Sequence, residues 1–214
     1  QTIITIDDHP LFRKGLADLI EMDDSLVLIG EAASGEAGLA LAIELEPDLV
    51  LLDINMKDMD GLETLRALKK ADLDSRVMML TVSDNEEDVL AAIRAGADGY
   101  LLKDMEPEDT LESIRAAASG KLVVSDRLTE LLAAALRSEA NTPQDSDEAA
   151  LTHREHEILD LIAEGLSNKL IARALDISPG TVKVHVKNVL RKLNLNSRVE
   201  AAVWALKHDK PKIG

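Results

Sequence analysis

Five short apolar runs, at residues 3–6, 26–29, 49–52, 77–82 and 100–102, alternate with longer stretches whose apolar residues recur at helical spacing. Those stretches cover 11–22, 36–45, 62–69, 89–95 and 107–118. No other feature constrains the fold so tightly. A near-continuous apolar strand is one buried on both faces, and a helix between successive strands implies a parallel crossover. Residues 1–120 therefore predict an α/β doubly wound domain, a five-stranded parallel sheet with helices on both faces. The pattern then changes. Leu128, Leu131, Leu132, Ala135 and Leu136 recur at helical spacing, and residues 138–148 hold no large apolar residue. Residues 121–149 thus read as a connecting helix followed by a flexible linker. From 150 to 214 only helical periodicity remains, at 155–163, 168–175, 181–193 and 198–206, which predicts a small all-α domain of four helices.

Composition narrows the function classes. No apolar run reaches the roughly 18–20 residues of a membrane span, so membrane insertion is excluded. Gln1-Thr2-Ile3-Ile4 shows no basic region ahead of an apolar one, so nothing reads as a secretory signal. The chain has no Cys, which rules out disulfides and thiolate metal sites and suits a reducing, cytoplasmic location. Phe12, Tyr100 and Trp204 are too few for a base-stacking platform. The net charge of −16 hides an asymmetry: residues 1–149 sum to −20 and residues 150–214 to +4. An acidic body with a small basic domain points to nucleic-acid contact by that domain.

The strand ends carry the chemistry. Asp7 and Asp8 close the first apolar run, Asp53 the third, Thr81 lies near the end of the fourth, and Lys103 follows the fifth. In a doubly wound sheet, ligands sit at the carboxyl ends of strands where the strand order reverses. Three carboxylates converging there repel one another unless a cation lies among them, and hard oxygen ligands suit Mg²⁺. A cation, a Lys and a hydroxyl around a carboxylate supply the charge neutralisation and positioning that an incoming phosphoryl group requires. His9, just ahead of Pro10, reads as a helix cap.

In the second domain, residues 167–175 form a short helix, Asp176-Ile177 a tight turn, and Ser178-Pro179 open a second helix as N-cap and first residue. Val182, Val186, Val189, Leu190 and Leu193 form its inner stripe. Lys183, Lys187 and Arg191 recur every four residues outside it, beside Val184, His185 and Asn188. This is a helix-turn-helix whose second helix fits the major groove of double-stranded DNA. Lysines there reach guanine edges or phosphates, and an exposed valine meets a thymine methyl. His153 and His156 lack further ligands and read as helix surface.

Two resemblances sharpen this reading. Ile6-Asp7-Asp8-His9-Pro10, Leu51-Leu52-Asp53-Ile54-Asn55-Met56, Thr81 and Ala95-Gly96-Ala97-Asp98-Gly99-Tyr100-Leu101-Leu102-Lys103 resemble a response-regulator receiver domain. The resemblance implies a flavodoxin-like sheet of order 2-1-3-4-5 and a phosphoryl group taken by Asp53 from a sensor histidine kinase. It also implies a Mg²⁺ site of Asp7, Asp8, Asp53 and the Asn55 carbonyl, a Lys103 contact to the phosphoryl oxygens, and a Thr81–Tyr100 switch. Asp104 stands where many receivers have Pro. Leu151-Thr-His-Arg-Glu-His-Glu-Ile-Leu159, Asn168-Lys-Leu-Ile-Ala172 and Thr181-Val-Lys-Val-His-Val-Lys187 resemble a LuxR-type DNA-binding domain, with His153 where Pro is usual. That resemblance implies DNA contacts by Lys183, Val184, Lys187, Asn188 and Arg191, and a homodimer on DNA through the last helix, with Val199, Val203 and Trp204 as its face. Asp8-His9-Pro10, Asn85-Glu86-Glu87-Asp88-Val89, the 102–109 segment and Ser197-Arg-Val-Glu-Ala-Ala-Val-Trp204 are most similar to nitrate/nitrite-responsive members of this family. The expectation is a transcription regulator, not an enzyme, whose phosphorylation frees the recognition helix. Two other classes stay open here: a Mg²⁺-dependent aspartyl-phosphate phosphatase, and a DNA architectural protein indifferent to phosphorylation.

Overall fold

The structure, a computed structural model, describes residues 1–57, 59–82, 85–121, 123 and 151–208. Contacts divide the chain into two compact units, Gln1–Ser119 and Gly120–Gly214. The helix and linker expected over 121–149 fall outside the described residues, apart from Lys121 and Val123.

In the first unit, strands β1 (Thr2–Ile6), β2 (Val27–Ala32), β3 (Leu49–Asp53), β4 (Arg76–Thr81) and β5 (Gly99–Leu102) form one parallel sheet of order β2-β1-β3-β4-β5. The central strands are the most apolar. Ile3, Ile4, Ile6, Leu49, Val50, Leu51, Leu52, Met79 and Leu80 are wholly buried. β2, at the sheet edge, runs to Ala32, three residues past its apolar run, because Ile6 of β1 pairs with Ala32. That extension is set by a neighbouring strand and leaves no hydropathy signal.

Helices α1 (Pro10–Glu21), α2 (Gly35–Leu45), α3 (Gly61–Lys70), α4 (Glu86–Arg94) and α5 (Pro107–Ala118) connect and follow the strands. Their starts obey capping chemistry. Ser34 accepts from the Ala37 N–H, Asp60 from Glu63 and Asn85 from Glu87, while Pro10 and Pro107 open α1 and α5. α4 begins three residues ahead of its apolar periodicity, since Asn85 caps it and Glu86, Glu87 and Asp88 fill a first turn that favours negative charge. At Gly61 a Cβ would stand 2.2 Å from the Asp53 carbonyl oxygen. Only glycine lets α3 start this close to the end of β3.

At the amino ends of β4 and β5, Lys69 donates to Asp98 at 2.6 Å, and the buried Arg76 donates to the Ala117 carbonyl at 2.9 Å. Burial alone would push the Asp98 carboxyl up, but Lys69 and Arg76 beside it hold it below its ordinary range.

The second unit contains α6 (His153–Ala163), α7 (Asn168–Leu175), α8 (Pro179–Lys192) and α9 (Arg198–His208). Ile158, Ile162, Ile171, Val182, Val189, Ala201 and Ala202 form its core. The inner stripe of α8 lies as its spacing predicts, with Val182, Val186 and Val189 buried and Leu190 and Leu193 packed against them. A capping box closes the start of α6: Thr152 accepts from the Glu155 N–H, and Glu155 accepts from the Thr152 N–H at 2.7 Å. His153, where Pro is usual, is the first residue of that helix and points outward.

Candidate functional site

β1 and β3 are neighbours, and Ile6 pairs with Leu52, so Asp7 and Asp53 emerge side by side at the carboxyl edge of the sheet. The sheet reverses its order at this edge, where doubly wound folds bind ligands. Lys103 follows β5 and reaches across β4 to both carboxylates, its Nζ 2.6 Å from Asp7 Oδ2 and 2.9 Å from Asp53 Oδ2. All three side chains are buried: Asp7 is 0% exposed, Asp53 1% and Lys103 8%. The Asp7 Oδ1 accepts from the His9 N–H at 2.7 Å, and the Asp53 Oδ1 accepts from the Asn55 N–H at 3.2 Å.

The pocket gathers three carboxylates, counting Asp8, against one ammonium and the His9 imidazole. Two oxygens, Asp8 Oδ1 and Asp53 Oδ2, are buried and accept no directed hydrogen bond. The Lys103 ammonium is close to the second of these but misaligned, so it balances charge without satisfying the lone pair. Unsatisfied carboxylate oxygens facing one another in a polar cleft fit a hard divalent cation such as Mg²⁺.

Thr81 closes β4 and is wholly buried; Tyr100 on β5 is half-buried. Met79 pairs with Tyr100 and Thr81 with Leu102, so Thr81 and Tyr100 share one face of the sheet. Asn55 lies on the surface two residues past Asp53. The expected groups Asp7, Asp8, Asp53, Thr81 and Lys103 thus gather at one edge. The described residues hold no cis peptide bond.

Three neighbours escape the strand-end pattern. Phe12 of α1 lies under the Lys103 ammonium, 4.5 Å from Nζ to ring centre, and such contact steadies a cation. Arg13 donates to the Asp7 carbonyl. His9 is the correction. It occupies the N-cap position of α1, but its side chain makes no cap hydrogen bond and turns instead toward the carboxylates. The Asp-Asp-His order was the available signal, outweighed by the following Pro10.

In the second unit, α7 and α8 are joined through Asp176, which takes left-handed φ and ψ of 52° and 49° as the C-cap of α7. Arg154 donates to the Leu175 carbonyl at 3.0 Å and holds that corner. Lys192, at the far end of α8, donates to the buried Glu155 at 2.7 Å. Burial alone would push the Glu155 carboxyl up, but hydrogen bonds from Lys192 and Thr152 hold it at about 2. The corner ahead of α8 and the far end of α8 are therefore both tied to α6. On its outer side Val184 is 59% exposed, Lys187 and Arg191 are exposed, and Lys183, His185 and Asn188 are half-buried. Arg191 donates to Asn188 Oδ1 at 3.2 Å. On α9, Val199 and Val203 are 0% and 2% exposed and Trp204 packs partly against the domain core.

Residues 3–115 match the response regulator receiver domain, and residues 149–205 match the bacterial regulatory proteins of the luxR family. The nitrate/nitrite response regulator protein NarL of Escherichia coli is 55% identical over 203 residues, covering 95% of this chain and 94% of that protein. A nitrate/nitrite response regulator protein homolog of Haemophilus influenzae is 47% identical, covering 94% of each. Among solved structures, the receiver domain of a response regulator from Mycobacterium tuberculosis superposes with a TM-score of 0.54 at 34% identity, over 56% of this chain and 97% of that one. A LuxR-family response regulator from Aurantimonas superposes at 0.58 with 29% identity, over 64% and 97%.

A receiver fold with its acidic pocket, joined to a helix-turn-helix domain, defines a response regulator: a transcription regulator and not an enzyme. This chain belongs to the response regulators with a luxR-type output domain. The receiver domain implies a histidine kinase as partner and the luxR-type domain implies DNA. No helix among the described residues is long and apolar enough to cross a membrane.

Proposed function

We propose that Asp53 accepts the phosphoryl group of a sensor histidine kinase and that this step switches DNA binding. The buried Asp53 carboxylate, with Lys103 Nζ 2.9 Å from one oxygen, is the observation that carries the reading. An Asp53 oxygen attacks phosphorus, the P–N bond to the kinase imidazole breaks, and that imidazole leaves with the electron pair. Asp7, Asp8, Asp53 and Asn55 would hold Mg²⁺, which when bound neutralises charge on the phosphoryl oxygens. Lys103 supplies a second positive charge to the same oxygens. The Asn55 N–H keeps the Asp53 carboxylate oriented.

The phosphoryl group carries about −1.5 to −2 charges but replaces the single negative charge of the Asp53 carboxylate, so a domain that is already acidic only becomes more so, and simple loss of attraction does not release a basic reading helix. The switch is instead a repacking of Thr81 and Tyr100, a two-state element biased by the phosphoryl group. Its outcome is a free recognition helix, read into the major groove by Lys183, Val184, Lys187, Asn188 and Arg191. Two copies bind together on DNA, with Val199, Val203 and Trp204 as the shared face. The likeness to nitrate/nitrite response regulators supports nitrate or nitrite as the signal upstream of the kinase, and a DNA target accords with a cytoplasmic site of action.

Intact mass after incubation with Mg²⁺ and a small phosphodonor tests the acceptor. The expected result is one added phosphoryl group on the wild-type chain and none on Asp53→Asn. Equal labelling of both would move the acceptor elsewhere.

A further inference from the structure

The carboxylates are not the only donors aimed into the pocket. His9 Nδ1 lies 2.9 Å from Asp8 Oδ1, 3.3 Å from Asp7 Oδ1 and 3.6 Å from Asp53 Oδ2. An imidazole held there as a plain ion-pair partner would aim an N–H at one of these oxygens. It does not: Asp8 Oδ1 and Asp53 Oδ2 are buried and accept no directed hydrogen bond, even with the nitrogen at 2.9 Å from the first. Asp53 is 1% exposed, so its oxygen has no recourse to solvent. One nitrogen and three carboxylates thus place donor atoms within 4.8 Å of one another.

The spacing suits a shared ion. Around a six-coordinate ion with bonds of about 2.1 Å, adjacent donors lie about 3 Å apart and opposite donors about 4.2 Å apart. The N···O separation of 2.9 Å matches the adjacent value, and those of 3.3 and 3.6 Å fall between the adjacent and opposite ones. The backbone sets this placement. Pro10 opens α1 and keeps the preceding residue extended, with φ −94° and ψ 103° at His9, which turns the ring from the helix end to the pocket mouth. The ring is 62% exposed, so packing does not force it inward.

We propose that His9 Nδ1 is a direct ligand of the divalent ion held by Asp7, Asp8 and Asp53, giving a mixed nitrogen–oxygen site. Such a site favours first-row transition ions with affinity for imidazole, Co²⁺ and Ni²⁺ among them, relative to Mg²⁺, which prefers oxygen alone. The inference rests on the pocket being a cation site, as proposed above. It makes cation identity a property of this chain's own Asp-Asp-His order.

The test uses the full chain loaded with Mn²⁺ and read by electron spin echo. A directly bound imidazole nitrogen modulates the echo in the wild type, the pattern changes on ¹⁵N-histidine labelling, and His9→Ala loses it. Titrated with Co²⁺, His9→Ala should bind about tenfold or more weakly, a loss of the size that even an outer-shell partner's removal gives, with a smaller fall for Mg²⁺. His9 makes no cap and packs little, so the variant folds. Bound Mn²⁺ without nitrogen modulation, and Co²⁺ affinity unchanged in His9→Ala, would overturn the role of His9 and leave the carboxylate site standing. Failure of the wild type to bind Mn²⁺ or Mg²⁺ at all would overturn the cation site itself.

Discussion

The two units place function in opposite settings. The receiver keeps Asp7, Asp53 and Lys103 buried at strand ends, where each charge depends on the others. The helix-turn-helix unit presents Val184, Lys187 and Arg191 outward and spends its buried contacts on anchoring the helix that carries them. A buried charge that loses its partner is strongly destabilising, whereas an exposed charge is cheap to remove until its ligand arrives. Substitutions at the first site should therefore damage folding and chemistry together. Those at the second should separate them.

The largest effect is expected at Gly61. Alanine there sets a Cβ against the backbone of Asp53 and Ile54, at 2.2 and 2.6 Å, and should destabilise the receiver by about 3 kcal/mol. Denaturant unfolding should show the receiver transition shifted and that of the helical unit in place. Next comes the contrast of two lysines. Lys103→Met strips the ammonium from two buried carboxylates and should cost about 3 kcal/mol of receiver stability along with phosphoryl uptake. Lys187→Met should alter stability by no more than about 0.5 kcal/mol. It should nevertheless weaken DNA binding by about 1–3 kcal/mol if it reads a base, or lower the salt slope by about one if it meets a phosphate. Equal stability loss in the two variants would break the comparison.

Glu155 sharpens it from the other side, because here a buried charge serves the exposed face. Its carboxyl titrates at about 2, below the ordinary 4.5. A lowered native value means that the unfolded state binds the proton more readily, so the stabilisation is complete above pH 4.5 and is lost as pH falls from there through about 2. Acid unfolding of the helical unit followed by circular dichroism should show this loss, and Glu155→Gln should flatten it. The smallest effect is expected at Val184. Trimming it to Ala removes methyl contact with thymine and should cost about 1 kcal/mol of affinity for a matching site, with no change in salt dependence.

Much of the receiver was legible because strand ends and function coincide. Asp7 and Asp53 close apolar runs, Thr81 lies near the end of one and Lys103 follows another, so hydropathy alone located them. The outer face of α8 was legible for a similar reason, since its inner stripe of valines fixes which residues turn outward. What the sequence hid depends on neighbours. His9 looks like a cap because it precedes Pro10, and only the assembled pocket shows its ring turned to the carboxylates. The Phe12–Lys103 contact and the Lys192–Glu155 tie join residues far apart in the chain, with no local period to betray them. On α9, Val203 and Trp204 read equally from the sequence as a shared face or as interior; the structure buries Val203 and packs Trp204 partly against the core.

The most direct test of the switch is DNA affinity measured on the full chain before and after exposure to phosphodonor and Mg²⁺, with Asp53→Asn in parallel. Phosphorylated wild type should bind a cognate double-stranded site at least about tenfold more tightly, within the usual range of coupling between two sites. The Asp53→Asn chain should bind at the weaker level under both conditions. Tight binding by the untreated chain, or an equal gain in Asp53→Asn, would contradict a switch that runs through Asp53.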